Sequence, residues 1–341
     1  MTKYLDYHEK IKNEIETVMD DVFEDFKKNA LRHGEVDDYI RAFKDVNEGG
    51  KRIRGLMIVL GYEMAGGSER KTALKIAAMY EMLQTAILSH DDIIDRSVLR
   101  RGKKSLYQEL GGEHFGLSQA LILGDLGIFW AFSYLAKLNV NEEIKIKLIS
   151  ELGEVMSGTC VGQLQDVHLG IESMPTEELV LSMIYNKTSL YTFIGPLVLG
   201  RILAGRFEKD EQILKFAGDL GMAFQIHDDL IGVFSDELES GKTSKSDIKE
   251  GKRTLIYLNA LKASSSDEKK LLLKYGKSDA SAEDIENIKN IFIKTGAKKK
   301  VSEKRDMYLS YAEEVVPSVT EDISFRQILL SMISNLKNRT K

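Results

Sequence analysis

Cysteine occurs once, at Cys160, tryptophan once, at Trp130, and proline only at Pro175, Pro196 and Pro317 in 341 residues. A single thiol excludes an internal disulfide framework and any multi-cysteine metal site, and it fits a reducing compartment. So few prolines leave long stretches free of the strongest helix breaker. An excess of one charge is also missing: 48 Lys and Arg stand against 53 Asp and Glu, a net charge of −5. That balance argues against a nucleic-acid binder, which needs a strongly basic surface. The N-terminal stretch from Met1 to Lys10 has no signal-peptide character. The longest apolar run, Ala120–Phe132, is broken by Asp125 and falls short of the ~20 residues that span a bilayer. The expectation is a cytoplasmic protein with no transmembrane segment. Alternating strand patterns are absent as well, so the fold class is all-α.

What is present supports that class. Hydrophobic residues make up 43% of the chain, enough for a large core. Met79, Met82, Leu83, Ala86, Ile87 and Ile94 recur at helical spacing, as do Ile213, Leu214, Ala217, Leu220 and Phe224. Ile11, Ile15, Val18, Val22 and Phe26 form one stripe of a charged N-terminal helix. Breaks fall at Gly49-Gly50, Gly66-Gly67, Gly111-Gly112, Met174-Pro175, Ser240-Gly241 and Ser264 to Ser266. Ser173 is the expected cap of a helix that starts near Pro175. Each break is as short as a helix connection, so the organisation reads as one helical domain over 1–341.

Two aspartate pairs stand out. In Leu88-Ser-His-Asp91-Asp92-Ile-Ile-Asp95, a helix turning ~100° per residue puts Asp91 and Asp95 on one face with Asp92 beside them. Like charges four apart cost a helix ~0.2–0.5 kcal/mol unless a cation neutralises them. Oxygen-only ligands favour a hard cation such as Mg²⁺, which keeps waters and binds substrate phosphates. A solvated acidic face explains one such motif equally well. The second pair, Asp228 and Asp229, ends an apolar helix, with Gly232 where the first motif has its last Asp.

Basic residues change that balance. Gly49-Gly50-Lys51-Arg52-Ile53-Arg54 follows a loop and opens a helix, with Lys51 and Arg54 three apart. Arg100-Arg101-Gly102 lies just beyond the first aspartates, and Lys187-Thr188, Lys242 and Lys252 sit near glycines or polar loops. Alone, each reads as solvated surface. Together, two acidic and several basic motifs suit a substrate carrying diphosphate groups, with Arg for bidentate contacts and Lys as a point charge.

GGKRIR at 49–54, DDIID at 91–95 with RRG at 100–102, GQLQD at 162–166, KT at 187–188, FQIHDD at 224–229 and GK…EGK at 241–252 occur in that order. With these six motifs the chain resembles the trans-isoprenyl diphosphate synthases, or polyprenyl synthetases. The resemblance implies the isoprenoid synthase fold, a large single-domain helical bundle around a central cavity, usually a homodimer. It implies Mg²⁺-dependent, head-to-tail condensation of isopentenyl diphosphate with an allylic prenyl diphosphate. Asp91, Asp95 and Asp228, with Asp92 and Asp229 nearby, would ligate the Mg²⁺, three per active site. Arg100, Lys187, Thr188, Gln225, Lys242 and Lys252 would hold the allylic diphosphate. Lys51, Arg54, Arg101 and Gln84 would bind isopentenyl diphosphate. Gln225 and Thr188 would aim oxygens at the carbocation, and no side-chain nucleophile is needed.

Two positions depart from the family pattern: Gly232, and Gln84, where many members have His seven residues before the first Asp. In relatives, bulky residues four and five before that Asp go with short products. Here they are Ile87 and Ala86. Helical geometry alone would choose Ile87 and Leu83 as wall residues, whereas the family points to Ala86 as an open gate with Met82 deeper. The expected product is geranylgeranyl diphosphate or longer, unless Ala86 merely lets helices approach. A terpene synthase of the same fold would not need Lys51, Arg54 and Arg101, and a non-catalytic subunit of a prenyl synthase would lose metal aspartates. Cys160 reads as core and Trp130 as core or dimer interface. His90 and His227 read as helix-end polar contacts.

Overall fold

The computed structural model describes residues 2–172, 174–234, 248, 251–272, 275–276 and 281–339. Among them, all regular structure is helical except one hairpin of two-residue strands. Contacts group the chain into two compact units.

The first unit holds Leu5–Gly153 and Gly195–Glu208. Its helices are α1 (Lys3–Leu31), α2 (Asp37–Asn47), α3 (Ile53–Met64), α4 (Arg70–Ile94), α5 (Leu106–Glu109), α6 (Glu113–Ala136), the first part of α7 (Glu142–Ile171), and α9 (Gly195–Leu203). Ile11, Ile15, Val22 and Phe26 of the α1 stripe are buried and Val18 is half-buried. Phe26 packs against Phe43 and Trp130 at centroid distances of 5.1 and 5.2 Å. Trp130 is thus core, and its indole Nε1 donates to Asp25 Oδ2 at 3.0 Å. The backbones of α3 and α9 approach so closely that a Cβ on Gly61 would lie 2.2 Å from the Leu197 carbonyl oxygen.

The helix α6 runs to 24 residues and is long and apolar enough, by length and composition, to cross a membrane. The apolar run Ala120–Phe132, interrupted by Asp125, makes up only part of this helix. The small residues Gly116, Ala120, Gly124 and Gly127 are buried, while Ile122, Asp125 and Phe129 are exposed.

The hairpin pairs β1 (Leu99–Arg100) with β2 (Lys103–Lys104) antiparallel, Leu99 opposite Lys104 and Arg100 opposite Lys103. Sequence alternation cannot reveal strands of two residues. The loop is Arg101-Gly102, with φ of 54° and 77°, the doubly left-handed pattern of the commonest two-residue hairpin turn.

The second unit holds Thr2–Tyr4, Glu154–Ile194 and Lys209–Lys341. Besides the rest of α7 it contains α8 (Glu177–Ile184), α10 (Glu211–Phe234), α11 (Leu255–Ala263), α12 (Ser266–Leu272), α13 (Ala282–Lys294), α14 (Ala297–Val319) and α15 (Ile323–Asn338). Val180, Ile184, Ile226, Val233, Ile256 and Phe292 belong to one buried apolar cluster. The N-cap of α8 is Thr176, which accepts from the Leu179 amide at 3.2 Å, while Ser173 lies outside the described residues. Cys160, expected in the core, is exposed on α7. Its neighbours one turn either way, Ser157 and Leu164, are exposed too, so the whole α7 face is open.

Between α8 and α9 the chain forms a π-helix, Tyr185–Ile194. Pro196 follows at the second residue of α9. Proline has no N–H to give the carbonyl of Thr192, four residues before it, so an α-helical ladder could not run unbroken through this junction.

Candidate active site

In the first unit, the predicted residues converge on the end of α4. Asp91 and Asp92 occupy its last turn and Asp95 is its C-cap, whose amide donates to the Asp91 carbonyl at 2.8 Å. Carboxylates here oppose the helix dipole, whose negative end lies at the C-terminus, so a cation is needed to offset them. Arg100 supplies one. Its Nε donates to Asp92 Oδ1 at 2.8 Å, and Nη2 reaches Asp92 Oδ1 and Asp91 Oδ2. Burial opposes the guanidinium charge, but Asp92 and Asp91 beside it raise the Arg100 pKa above its ordinary value. Burial also pushes the Asp92 carboxyl up, against the pull of Arg100.

Arg101, one residue on, goes to a different partner. Its guanidinium lies over Gly50, where a Cβ would sit 3.0 Å from Arg101 Cζ, and Nη1 is 3.4 Å from the carbonyls of Glu48 and Gly49. Gly50 has φ 94°, so both its backbone and its missing side chain admit this contact. A cavity of about 380 Å³ is lined here by Gly49, Gly50, Arg100, Arg101, Lys103 and Lys104. Burial, helped by Arg52, lowers the Arg101 pKa. Lys51 is exposed beside the cavity lining, and Arg54 stands in the first turn of α3. Gln84 is buried on α4 with its Oε1 lacking a hydrogen-bond partner.

In the second unit, the π-helix carries Lys187 and Thr188. Lys187 Nζ donates to Asp166 Oδ2 at 2.6 Å. A Cβ on Gly162 would lie 2.4 Å from the Lys187 amide nitrogen, so only glycine lets α7 pass this close. Thr188 Oγ1 donates to Gln225 Oε1 at 2.7 Å, and Gln225 Nε2 donates to Asp229 Oδ1 at 2.7 Å. This chain locks the Gln225 amide at both ends. Asp228 meets Arg339 at 2.9 Å as an ion pair rather than an aligned hydrogen bond. His227 Nε2 contacts the Arg339 carbonyl at 2.7 Å and Nδ1 lies 3.1 Å from Arg305 Nη1, polar contacts of the kind expected. Burial lowers the His227 pKa. Lys252 is half-buried beside α11, and Lys242 lies outside the described residues.

The predicted residues therefore form two groups, each internally assembled. Sequence reasoning missed Arg339, Arg52 and Glu81, whose partners lie far along the chain. It also missed the π-helix, for which no residue pattern exists. Among the described residues, no three His, Cys, Asp or Glu side chains form a ready metal cluster. The first group nonetheless fits a hard cation: its donors are carboxylates, and Asp92 Oδ2 is buried with no hydrogen-bond partner. The chain-length residues lie on α4, with Met82, Leu83 and Ala86 buried and Ile87 half-buried. Ala86 faces α6, since a Cβ on Gly127 would be 2.8 Å from its own Cβ.

Residues 39–292 match the family model described as Polyprenyl synthetase. A geranylgeranyl diphosphate synthase of Sulfolobus acidocaldarius is 33% identical over 251 residues, 72% of this chain and 74% of that protein. An all-trans-nonaprenyl-diphosphate synthase (geranyl-diphosphate specific) of Rhodobacter capsulatus is 33% identical over 84% of both chains. Among solved structures, geranylgeranyl pyrophosphate synthase from Corynebacterium glutamicum, complexed with isoprenyl diphosphate and magnesium, superposes with a TM-score of 0.86 at 28% identity, covering 98% of both chains.

Proposed function

Because this chain belongs to the polyprenyl synthetase family and is a prenyltransferase that elongates prenyl chains, we propose that it releases geranylgeranyl diphosphate or a longer all-trans product and uses three Mg²⁺ per active site. Asp91, Asp95 and Asp228, with Asp92 and Asp229, would hold the ions, whose charge stabilises the diphosphate leaving group as the allylic C–O bond breaks. Arg100, Lys187 and Lys252 bind that diphosphate, and Lys242 is assigned with them. Lys51, Arg54, Arg101 and Gln84 bind isopentenyl diphosphate. Gln225 and Thr188, fixed by the bonds to each other and to Asp229, present oxygen dipoles to the developing carbocation. The isopentenyl double bond attacks, and the proton lost goes to the released diphosphate.

One observation carries this reading. Consecutive residues at one tight turn reach two separate places, Arg100 the carboxylates of Asp91 and Asp92 and Arg101 the glycine loop. Two such places suit the joining of two diphosphates, whereas a cyclase acting on one has no use for the second. The chain acts as a homodimer in this reading, supported by exposed Leu121, Ile122 and Phe129 on α6.

The test is a substrate split. Arg54→Ala is expected to raise the KM for isopentenyl diphosphate at least tenfold more than that for the allylic substrate, and Lys187→Ala to do the reverse, each losing about 1.5–3 kcal/mol of charged hydrogen bonding. Equal effects on both substrates would overturn the assignment of at least one residue.

A further inference from the structure

The loop that carries Lys51 is held from below by buried charges that the motif reading left unused. Arg52 is only 3% exposed, whereas Lys51 before it is exposed. Its φ of 48° and ψ of 37° are left-handed, a conformation that side chains with a Cβ avoid unless their surroundings enforce it. The enforcing contacts are on the guanidinium. Nε donates to Glu16 Oε1 at 2.7 Å, Nη2 donates to the Asn47 carbonyl at 3.0 Å, and Nη1 lies 3.8 Å from Glu81 Oε2.

Glu81, on α4, is 4% exposed and acts twice. One oxygen neutralises Arg52. The other, Oε1, accepts from the Gly55 amide at 2.8 Å. That amide is in the first turn of α3, where N–H groups have no partner within the helix and the dipole favours a negative charge. Thr85, one turn further along α4, donates to Asn47 Oδ1 at 2.7 Å. The end of α2, the start of α3 and the middle of α4 are thus tied at one buried point, and Lys51 and Arg54 hang from the backbone it fixes.

We propose that Arg52 and Glu81 are positioning residues for the isopentenyl diphosphate site: they set the backbone that presents Lys51 and Arg54 and touch no substrate. The inference rests on the assignment of Lys51 and Arg54 made above. A buried ion pair adds little net stability, but removing one partner leaves the other charge buried and uncompensated. Arg52→Lys keeps the charge and loses the planar fork that reaches three acceptors. Glu81→Gln keeps an acceptor for Gly55 and loses the charge facing Arg52.

Steady-state kinetics on Arg52→Lys, Glu81→Gln, Lys51→Ala and Arg54→Ala, with hydrogen exchange over residues 49–56 of the unliganded protein, test it. Both positioning variants are expected to raise the KM for isopentenyl diphosphate by about tenfold, from displaced rather than deleted contacts, and to speed exchange over 49–56. The allylic KM should move less than about twofold, since Arg52 and Glu81 act only on the isopentenyl site. If Lys51→Ala and Arg54→Ala raise the isopentenyl KM while the positioning variants leave it and the exchange unchanged, the proposal fails alone. If Lys51→Ala and Arg54→Ala leave that KM unchanged, the site assignment fails and takes the proposal with it. A loss shared equally by both substrates marks a merely structural role and overturns the proposal. Should Glu81→Gln not fold, Arg52→Lys and Thr85→Val carry the same readouts.

Discussion

Asp91 and Asp95 are one helical turn apart at the end of α4, and their loss should be the most damaging single change. Asp91→Ala or Asp95→Ala is expected to remove several kcal/mol of leaving-group stabilisation, on the order of a thousandfold in turnover. Turnover at saturating Mg²⁺, measured beside the parent, checks this, and an unchanged rate in either variant would move the metal elsewhere. These residues were legible because their chemistry is local: four positions on a helix suffice to place two carboxylates together. Arg52, Glu81 and Arg339 were not legible, because their contacts join distant stretches of chain and nothing in the intervening sequence marks them. Cys160 was misread for a related reason. Its burial depends on which face of α7 the rest of the fold covers, and small apolar character does not say which.

At the scale of elements, helical periodicity located α1, α4 and α10, because each has an apolar stripe of the proper spacing. It was blind to the hairpin and to the π-helix. The former is too short to alternate, and no residue pattern marks the latter. The packing of α4 on α6 sharpens the chain-length expectation. A phenylalanine at 86 must enter a contact where Gly127 leaves no room, at an overpacking cost of about 1–3 kcal/mol. Ala86→Phe is therefore expected to shorten the product and to lower the melting temperature, whereas Ile87→Phe, at a half-buried position, lowers it less. Product mass spectrometry with thermal melts separates the two effects. An active Ala86→Phe enzyme with an unchanged product would leave Ala86 as a helix-contact residue only.

At the scale of the whole molecule, association should run through α6. Leu121, Ile122 and Phe129 are 48%, 60% and 71% exposed, and large apolar groups left in water favour an interface. Wild-type protein is expected to sediment as a dimer and Phe129→Glu as a monomer or a weaker dimer. A monomeric wild type at micromolar concentration would remove α6 from this role. The turn that joins Arg100 to Arg101 bears on a different matter, cooperation between the two substrates. Two side chains on neighbouring residues, one ending β1 and the next held left-handed in the turn, cannot be ordered independently. A ligand that immobilises Arg100 already bears part of the entropic cost of immobilising Arg101, so the second substrate should bind more tightly after the first. Such a coupling must be the same in both directions. Calorimetry with an unreactive allylic analogue should find it tightening isopentenyl diphosphate by the factor that isopentenyl diphosphate tightens it, by about 5-fold or more. A factor of one would mean the two arginines respond separately. A factor above one would place the cooperation between the two substrates in adjacent residues of one turn, with no moving domain required.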